Sequence, residues 1–227
     1  MFSRLFSRRS ELEWTLTPKR YSDERTEHYS GKIFLPQICL VTLISKQVDT
    51  PYIFKISAHN NISYTHAGVQ EFMDAPDEVI LPNWLYDQLA LDGTPVEVSC
   101  VSLPKGQFIR LLPQSKDFLD IENPKASLEE SLRNYQVLSE GDTISLYIQS
   151  EFKHILFTVA EILPKGPGIS IIDTDLEVDF LPPVDYIEDK LEDGSSLVRK
   201  TEDGGVTIAD PFFADKEDGL GVVFIQK

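Results

Sequence analysis

Residues 104–141, PKGQFIRLLPQSKDFLDIENPKASLEESLRNYQVLSEG, spell out a strand, a turn and a capped helix in that order. GQFIRLL is the strand, and the Lys105-Gly106 pair before it predicts a hairpin turn. Phe118 and Leu119 are expected in the core. Asn123 is a favourable N-cap and Pro124 suits the first helical position. Leu128, Leu132 and Tyr135 then recur at i, i+4 and i+7 as an apolar stripe, with Glu129, Glu130 and Arg133 off it. Such a helix should bury the stripe on a sheet and leave Glu129 and Glu130 in solvent. The stretch holds no nucleophile–base pair, no metal-ligand spacing and no phosphate loop, so its residues read as builders of a fold.

Upstream, residues 1–13 read as a flexible arm. From residue 14 to 112 short β-type runs alternate with turn signals. YIFKIS is one strand; PVEVSCVSL is another, with Val96, Val98 and Cys100 on one face. LPQICLVTLI reads as a short helix. LPNWLYDQLALDG is a second helix, opened by Pro82-Asn83, with Trp84, Leu85 and Leu89 facing one way and Gly93 as its C-terminal cap. Residues 113–187 continue from the Asn123 helix into three strand candidates, DTISLYI, HILFTVAEIL and GISIIDTDLEVDF, with the Pro164–Gly168 loop connecting the last two. After Pro182-Pro183 the composition changes. Residues 188–209 are charged, Gly-rich and poor in large apolar residues, the signature of a mobile linker. Phe212, Phe213, Val222, Val223 and Phe224 then restore an apolar patch, which is either a strand returning to the core or a docking peptide for a partner.

The chain has 227 residues, 41% of them hydrophobic, enough for one large domain or two small ones with a real core. A formal charge of -16 disfavours nucleic acid and anionic membrane surfaces and favours a basic partner. No apolar run approaches the roughly 18–20 residues that span a bilayer. Arg4, Arg8 and Arg9 give the N-terminus a faint transit-peptide character that Glu11 and Glu13 end at once. Cys39 and Cys100 sit in apolar runs and read as buried free thiols of a reducing compartment.

Enzyme chemistry finds little support. His28, His59, His66 and His154 are scattered, and none has a second His three or four residues away. His66, beside a glycine, reads as a hydrogen-bonded structural residue. No G-x-S-x-G elbow is present. Asp173, Asp175, Glu177 and Asp179 alternate; on a single strand they would share a face, either solvated or able to hold a divalent cation. No cofactor and no metal is expected.

Several ordered motifs resemble one family: GKIFLP (31–36), PYIFKIS (51–57), THAGVQEF (65–72), LPNWL (81–85), PQSKDFLDIENPKASLE (113–129), LRNY (132–135) and VDFLPPVDY (178–186). Together they resemble the ubiquitin fusion degradation protein 1 family, adaptors of an AAA+ unfolding ATPase. That resemblance implies a mainly β fold with an α+β part: a double-psi β-barrel over 14–112, then a small mixed α/β subdomain over 113–187. It also implies a non-catalytic protein that binds ubiquitin and polyubiquitin chains. Its tail, here 188–227, would bind a partner of the nuclear protein localisation protein 4 type and an ATPase of the valosin-containing protein type. Ubiquitylated proteins would thereby be extracted for proteasomal degradation, in the cytoplasm and nucleus and at the ER surface. Family tails carry an F-x-G-x-G box; here Gly219 and Gly221 supply its glycines, but Glu217 stands at the Phe position. Reduced relatives serve protein import into complex plastids, which leaves a second role open: a docking subunit of a translocation complex that does not bind ubiquitin. The motifs do not locate a ubiquitin site. Asp117 and Asp120 either cap turns before Asn123 or offer negative charge to a basic rim.

Overall fold

The computed structural model describes residues 12–22, 29–58, 63–121, 123–148 and 153–185, and short strands at 198–200, 206–208 and 223–225. The first unit comprises β1 (Glu13–Arg20), β2 (Lys32–Pro36), α1 (Gln37–Ser45), β3 (Ile53–Ser57), β4 (Tyr64–Met73), β5 (Glu78–Leu81), α2 (Asn83–Gln88) and β6 (Val96–Val101). Its six strands close into a barrel in the order β1-β5-β2-β4-β3-β6. The β1–β5 and β2–β4 pairs are parallel and the others antiparallel. This mixed closed barrel fits the double-psi architecture. Alternate residues point inward, as the period of a strand requires: Ile33 and Leu35, Phe54 and Ile56, Val96 and Val98 are all buried.

Both expected helices form. In α1, Cys39 and Leu43 face the barrel core. Burial pushes the Cys39 thiol up to about 12, so it remains an unreactive thiol. In α2, Leu85 and Leu89 are buried, but the helix does not end at Gly93. Ala90 takes the left-handed φ of 49°, and Ala90 and Leu91 donate their amides to the Asp87 and Tyr86 carbonyls, which is a Schellman closure. Gly93, also left-handed at φ 95°, shapes the following turn, where the Asp92 side chain accepts from the Thr94 amide.

The second unit comprises β7 (Phe108–Pro113), α3 (Pro124–Leu132), β8 (Val137–Leu138), β9 (Thr143–Ile148), β10 (Lys153–Leu163), β11 (Ile169–Ser170), β12 (Leu176–Phe180) and, after a separate two-stranded pair β13 (Val198–Lys200) and β14 (Val206–Ile208), β15 (Val223–Ile225). Its main sheet runs β15-β12-β7-β10-β9, and β8 pairs with β11. The hairpin expected at Lys105-Gly106 is absent. β6 stays in the barrel and β7 joins the second sheet, so the change of sheet falls before Phe108 rather than after Leu112. Gly106 serves packing instead: a Cβ there would lie 2.8 Å from Ile169 Cδ1.

Helix α3 starts as expected, with the Asn123 side chain accepting from the Ala126 amide. It ends at Leu132, so Tyr135 lies past the helix, yet Leu128, Leu132 and Tyr135 are all buried. Glu130 and Arg133 are exposed, whereas Glu129 is half-buried. GISIIDTDLEVDF is not one strand: it breaks between β11 and β12 at a turn where Asp173 has a φ of 45°. Within the stretch read as a linker, β13 and β14 pair antiparallel.

Two hydrophobic cores result, one in the barrel and one between α3 and the second sheet, and Trp84 packs against both. Its indole donates to the Ser30 carbonyl at 2.9 Å and lies 6.2 Å from the Tyr135 ring. Two glycines on the barrel side permit this approach. A Cβ at Gly31 would lie 2.4 Å from Tyr135 Cδ1, and one at Gly68 1.8 Å from Gln136 Oε1.

Candidate functional site

A polar network completes the seam between the units, built from residues far apart in sequence. β4 presents Thr65 and His66, α2 presents Gln88, and the turn after β8 presents Ser139 and Asp142. The Thr65 hydroxyl and the Gln88 amide both donate to the Asp142 carboxylate, and Gln88 Oε1 accepts from the Thr143 amide at 2.9 Å. His66 Nδ1 and Ser139 Oγ are 2.8 Å apart. Burial pushes the Asp142 carboxyl up to about 6, against hydrogen bonds from Thr65 and Gln88 that favour its charge. Burial, with a smaller contribution from the Lys55 charge, holds His66 down at about 4.

The Ser–His contact has the spacing of a nucleophile and its base but not the surroundings. Both side chains are buried, at 4% and 3% exposure. An imidazole held near 4 is a weak base at neutral pH. The Asp142 carboxylate binds Thr65 and Gln88 instead of orienting the ring. This network ties the two units together, as the structural reading of His66 expected. Sequence reasoning missed Thr65, Gln88, Ser139 and Asp142, because no local pattern announces partners up to 77 positions apart.

The surface offers other features. A groove of about 510 Å³ opens across the junction, lined by Tyr29, Lys32 and Gln70 of the barrel and by Asn134, Tyr147 and His154 of the second unit. His154 stacks on Tyr29 with centroids 3.4 Å apart. On the barrel, α1 turns Ile38, Val41 and Ile44 outward at 54%, 57% and 61% exposure. Their i, i+3, i+6 spacing makes one apolar stripe on a helix without a charged residue. That stripe was present in LPQICLVTLI, but a run with mixed character does not say which face is left open.

Asp117 and Asp120 lie on a 3-10 turn, Lys116–Asp120, that buries Phe118 against Phe157 and Phe180 and half-buries Leu119. Both aspartates are exposed, and Asp117 sits 4.0 Å from Lys153. Ser115, rather than either aspartate, caps this turn by accepting from the Asp117 amide. The acidic row is dispersed: Asp173 and Asp175 lie outside β12, and Asp179 is bound to Arg110 at 2.8 Å. Among the described residues no group of three or more His, Cys, Asp or Glu is placed to hold a metal, and no helix is long and apolar enough to cross a membrane. Val223 and Phe224 fall in β15, paired with β12. Phe212, Phe213 and Val222, like His28 and His59, lie outside the described residues.

Two family models match end to end along this fold. Residues 11–104 match "Ubiquitin fusion degradation protein UFD1, N-terminal subdomain 1", and residues 105–183 match "N-terminal subdomain 2" of the same protein. Ubiquitin fusion degradation protein 1 of Saccharomyces cerevisiae is 40% identical over 165 residues, covering 71% of this chain and 45% of that protein. The Caenorhabditis elegans homolog is 37% identical over 162 residues, 71% of this chain and 46% of the homolog. The Homo sapiens protein called ubiquitin recognition factor in ER-associated degradation protein 1 is 36% identical over 168 residues, 74% of this chain and 54% of its own. The chain thus spans about half the length of the curated relatives it matches. With both N-terminal subdomains matched in order, on a barrel and a second sheet joined by the very motifs that suggested it, the chain belongs to the ubiquitin fusion degradation protein 1 family.

Proposed function

We propose that this chain is a non-catalytic adaptor that binds ubiquitin and polyubiquitin chains. With a partner of the nuclear protein localisation protein 4 type, it hands ubiquitylated proteins to an AAA+ unfolding ATPase of the valosin-containing protein type. The observation that carries this reading is the contiguous match to both N-terminal subdomains of a family whose relatives are named for ubiquitin fusion degradation and ubiquitin recognition in ER-associated degradation. The chemistry agrees: of two Ser–His contacts among the described residues, Ser139–His66 is buried at the seam, and Ser145–His154 is a long 3.5 Å contact whose ring stacks on Tyr29. The working place is the cytoplasm and nucleus, at the ER surface.

Two exposed surfaces suit a small basic protein with an apolar patch. The α1 stripe of Ile38, Val41 and Ile44 supplies uncharged contact area. Asp117 and Asp120 supply negative charge for a basic rim on the other unit. Each surface is small, so a single ubiquitin should bind at about 0.1–1 mM, and a chain should bind more tightly where two of its members engage together.

Titration of labelled mono- and tetra-ubiquitin at matched salt tests the proposal. Weak mono-ubiquitin binding with tighter tetra-ubiquitin binding supports it. No binding of either, with an ATPase complex still co-purifying, would leave the chain as a docking subunit of a translocation complex.

A further inference from the structure

Beyond any ubiquitin contact, the edge of the second sheet carries its own binding chemistry. β12 pairs in parallel with β7 on one side and antiparallel with β15 on the other. The Glu177 amide donates to the Gln107 carbonyl at 3.0 Å, on the β7 side. Backbone groups alternate in direction along a strand, so those of Leu176, Val178 and Phe180 face the outer edge. At Phe180 the edge is closed from within, because the Asp179 carboxylate accepts the Phe180 amide at 2.8 Å. Leu176 and Val178 have no such provision. Their strand partners are Ile225 and Val223, at the far end of the chain. Without β15, an edge of this kind would be a template for strand addition.

The occupant is three residues long. It is separated from the nearest preceding part of the unit, which ends at Asp185, by a charged and Gly-rich stretch of sequence. Its positions 223 and 225 stand opposite the two buried residues of the seat, Val178 and Leu176, and Phe224 stands opposite half-buried Glu177. The seat therefore selects an extended segment with apolar residues two positions apart and no charge between them. A three-residue ladder is short, so covalent attachment to the same chain, which raises the effective concentration of β15 at the edge, accounts for much of its occupancy.

We infer that the Leu176–Val178 edge is a strand-acceptor site for an extended, uncharged, β-branched or aromatic segment of a partner protein, and that this chain's own Val223–Ile225 is its built-in competitor. A partner segment binds antiparallel to β12 by replacing β15. The tail thus sets a threshold that the partner must exceed.

The test uses the full chain. Val223→Pro removes the amide that faces Val178 and cannot continue the ladder. Hydrogen exchange should accelerate at the Leu176 and Val178 amides by at least about tenfold and leave the Glu177 amide unchanged, a pattern that general destabilisation does not produce. A labelled peptide of residues 219–227, GLGVVFIQK, should bind the variant at least about tenfold more tightly than the native chain. The same peptide with Lys at its 223 and 225 positions should not bind. A second variant guards against misfolding of the first: Glu177→Cys with Phe224→Cys, oxidised, should lock the tail in place and abolish peptide binding. Equal peptide binding to the native, Pro and locked chains would overturn the inference, as would uniform acceleration of all three amides. Dimerisation of the native chain that vanishes in Val223→Pro would also overturn it, by making the seat an exchange between two copies.

Discussion

In the barrel every strand has a neighbour on both sides, whereas the second sheet ends at β9 on one side and at three residues of β15 on the other. Closure satisfies the barrel's ladder and leaves it side chains alone with which to meet a partner. What it exposes is a helix face, the α1 stripe. The open sheet keeps backbone groups at its edge and can recruit a strand. Two units of one chain are thus suited to two kinds of recognition, and the seam of Trp84, Tyr135, His66 and Asp142 packs and hydrogen-bonds one to the other, which predicts that they unfold together.

The largest expected effect tests that coupling. Leu132→Ala in the second core should cost about 2–5 kcal/mol and Phe54→Ala in the barrel about 3–5 kcal/mol. Both should lower one shared melting transition in calorimetry. Two separated transitions in either variant would show that the seam does not couple the units.

Acid titration sharpens the same point. Asp142 has a folded pKa of about 6 against an ordinary 3.8, so its charge costs stability above about pH 6, and that cost disappears as the pH falls toward 3.8. His66 is the reverse. Its folded pKa of about 4 lies below the ordinary 6.5, so its contribution is complete above 6.5 and is lost as the pH falls through 4. Each effect is about 3 kcal/mol, and they oppose each other across nearly the same window. His66→Gln should leave a chain that gains stability between pH 7 and 4.5, and Asp142→Asn one that loses it. Denaturant midpoints at the two pH values check the sign. Parallel slopes in the two variants would mean that neither group is held as the seam requires.

Smaller effects belong to the surfaces. Ile44→Lys should weaken mono-ubiquitin binding at least about tenfold, near 1.4 kcal/mol, without moving the melting temperature. Unchanged affinity would take α1 out of the interface. Asp117→Lys with Asp120→Lys should weaken tetra-ubiquitin binding about two- to threefold, with near-UV dichroism retained, as exposed charges at a rim allow. Loss of that dichroism would make the two aspartates structural.

The elements were legible where their signals are local. Asn123 and Pro124 marked the start of α3 because capping satisfies amides within one turn. The alternation of VEVSCV marked β6 for the same reason of short range. Glycines were harder to read. Gly106 looks like a turn and Gly93 like a helix cap, but Gly106 admits Ile169, while Ala90 closes the helix. A glycine kept for close packing and one kept for a positive φ are the same letter. Tyr135 fits the helical stripe by spacing and reaches the core by another path, its hydroxyl donating to the Ser145 carbonyl at 2.8 Å. The seam could not be read at all as a site. THAGV, LPNWL and LRNY lie tens of positions apart, and only the fold brings Gly68, Trp84 and Tyr135 to one place.

Trp84 gives that place a voice. The chain has two tryptophans, and the other, Trp14, packs in the barrel wall 6.2 Å from Phe54. With Trp14 replaced by Phe, all indole emission would come from the contact between the two cores. A ligand that pries the units apart would wet the indole and shift its emission to the red, while one that binds the joined body from outside would leave the spectrum still. The protein therefore carries an intrinsic optical gauge of whether its two halves move as one.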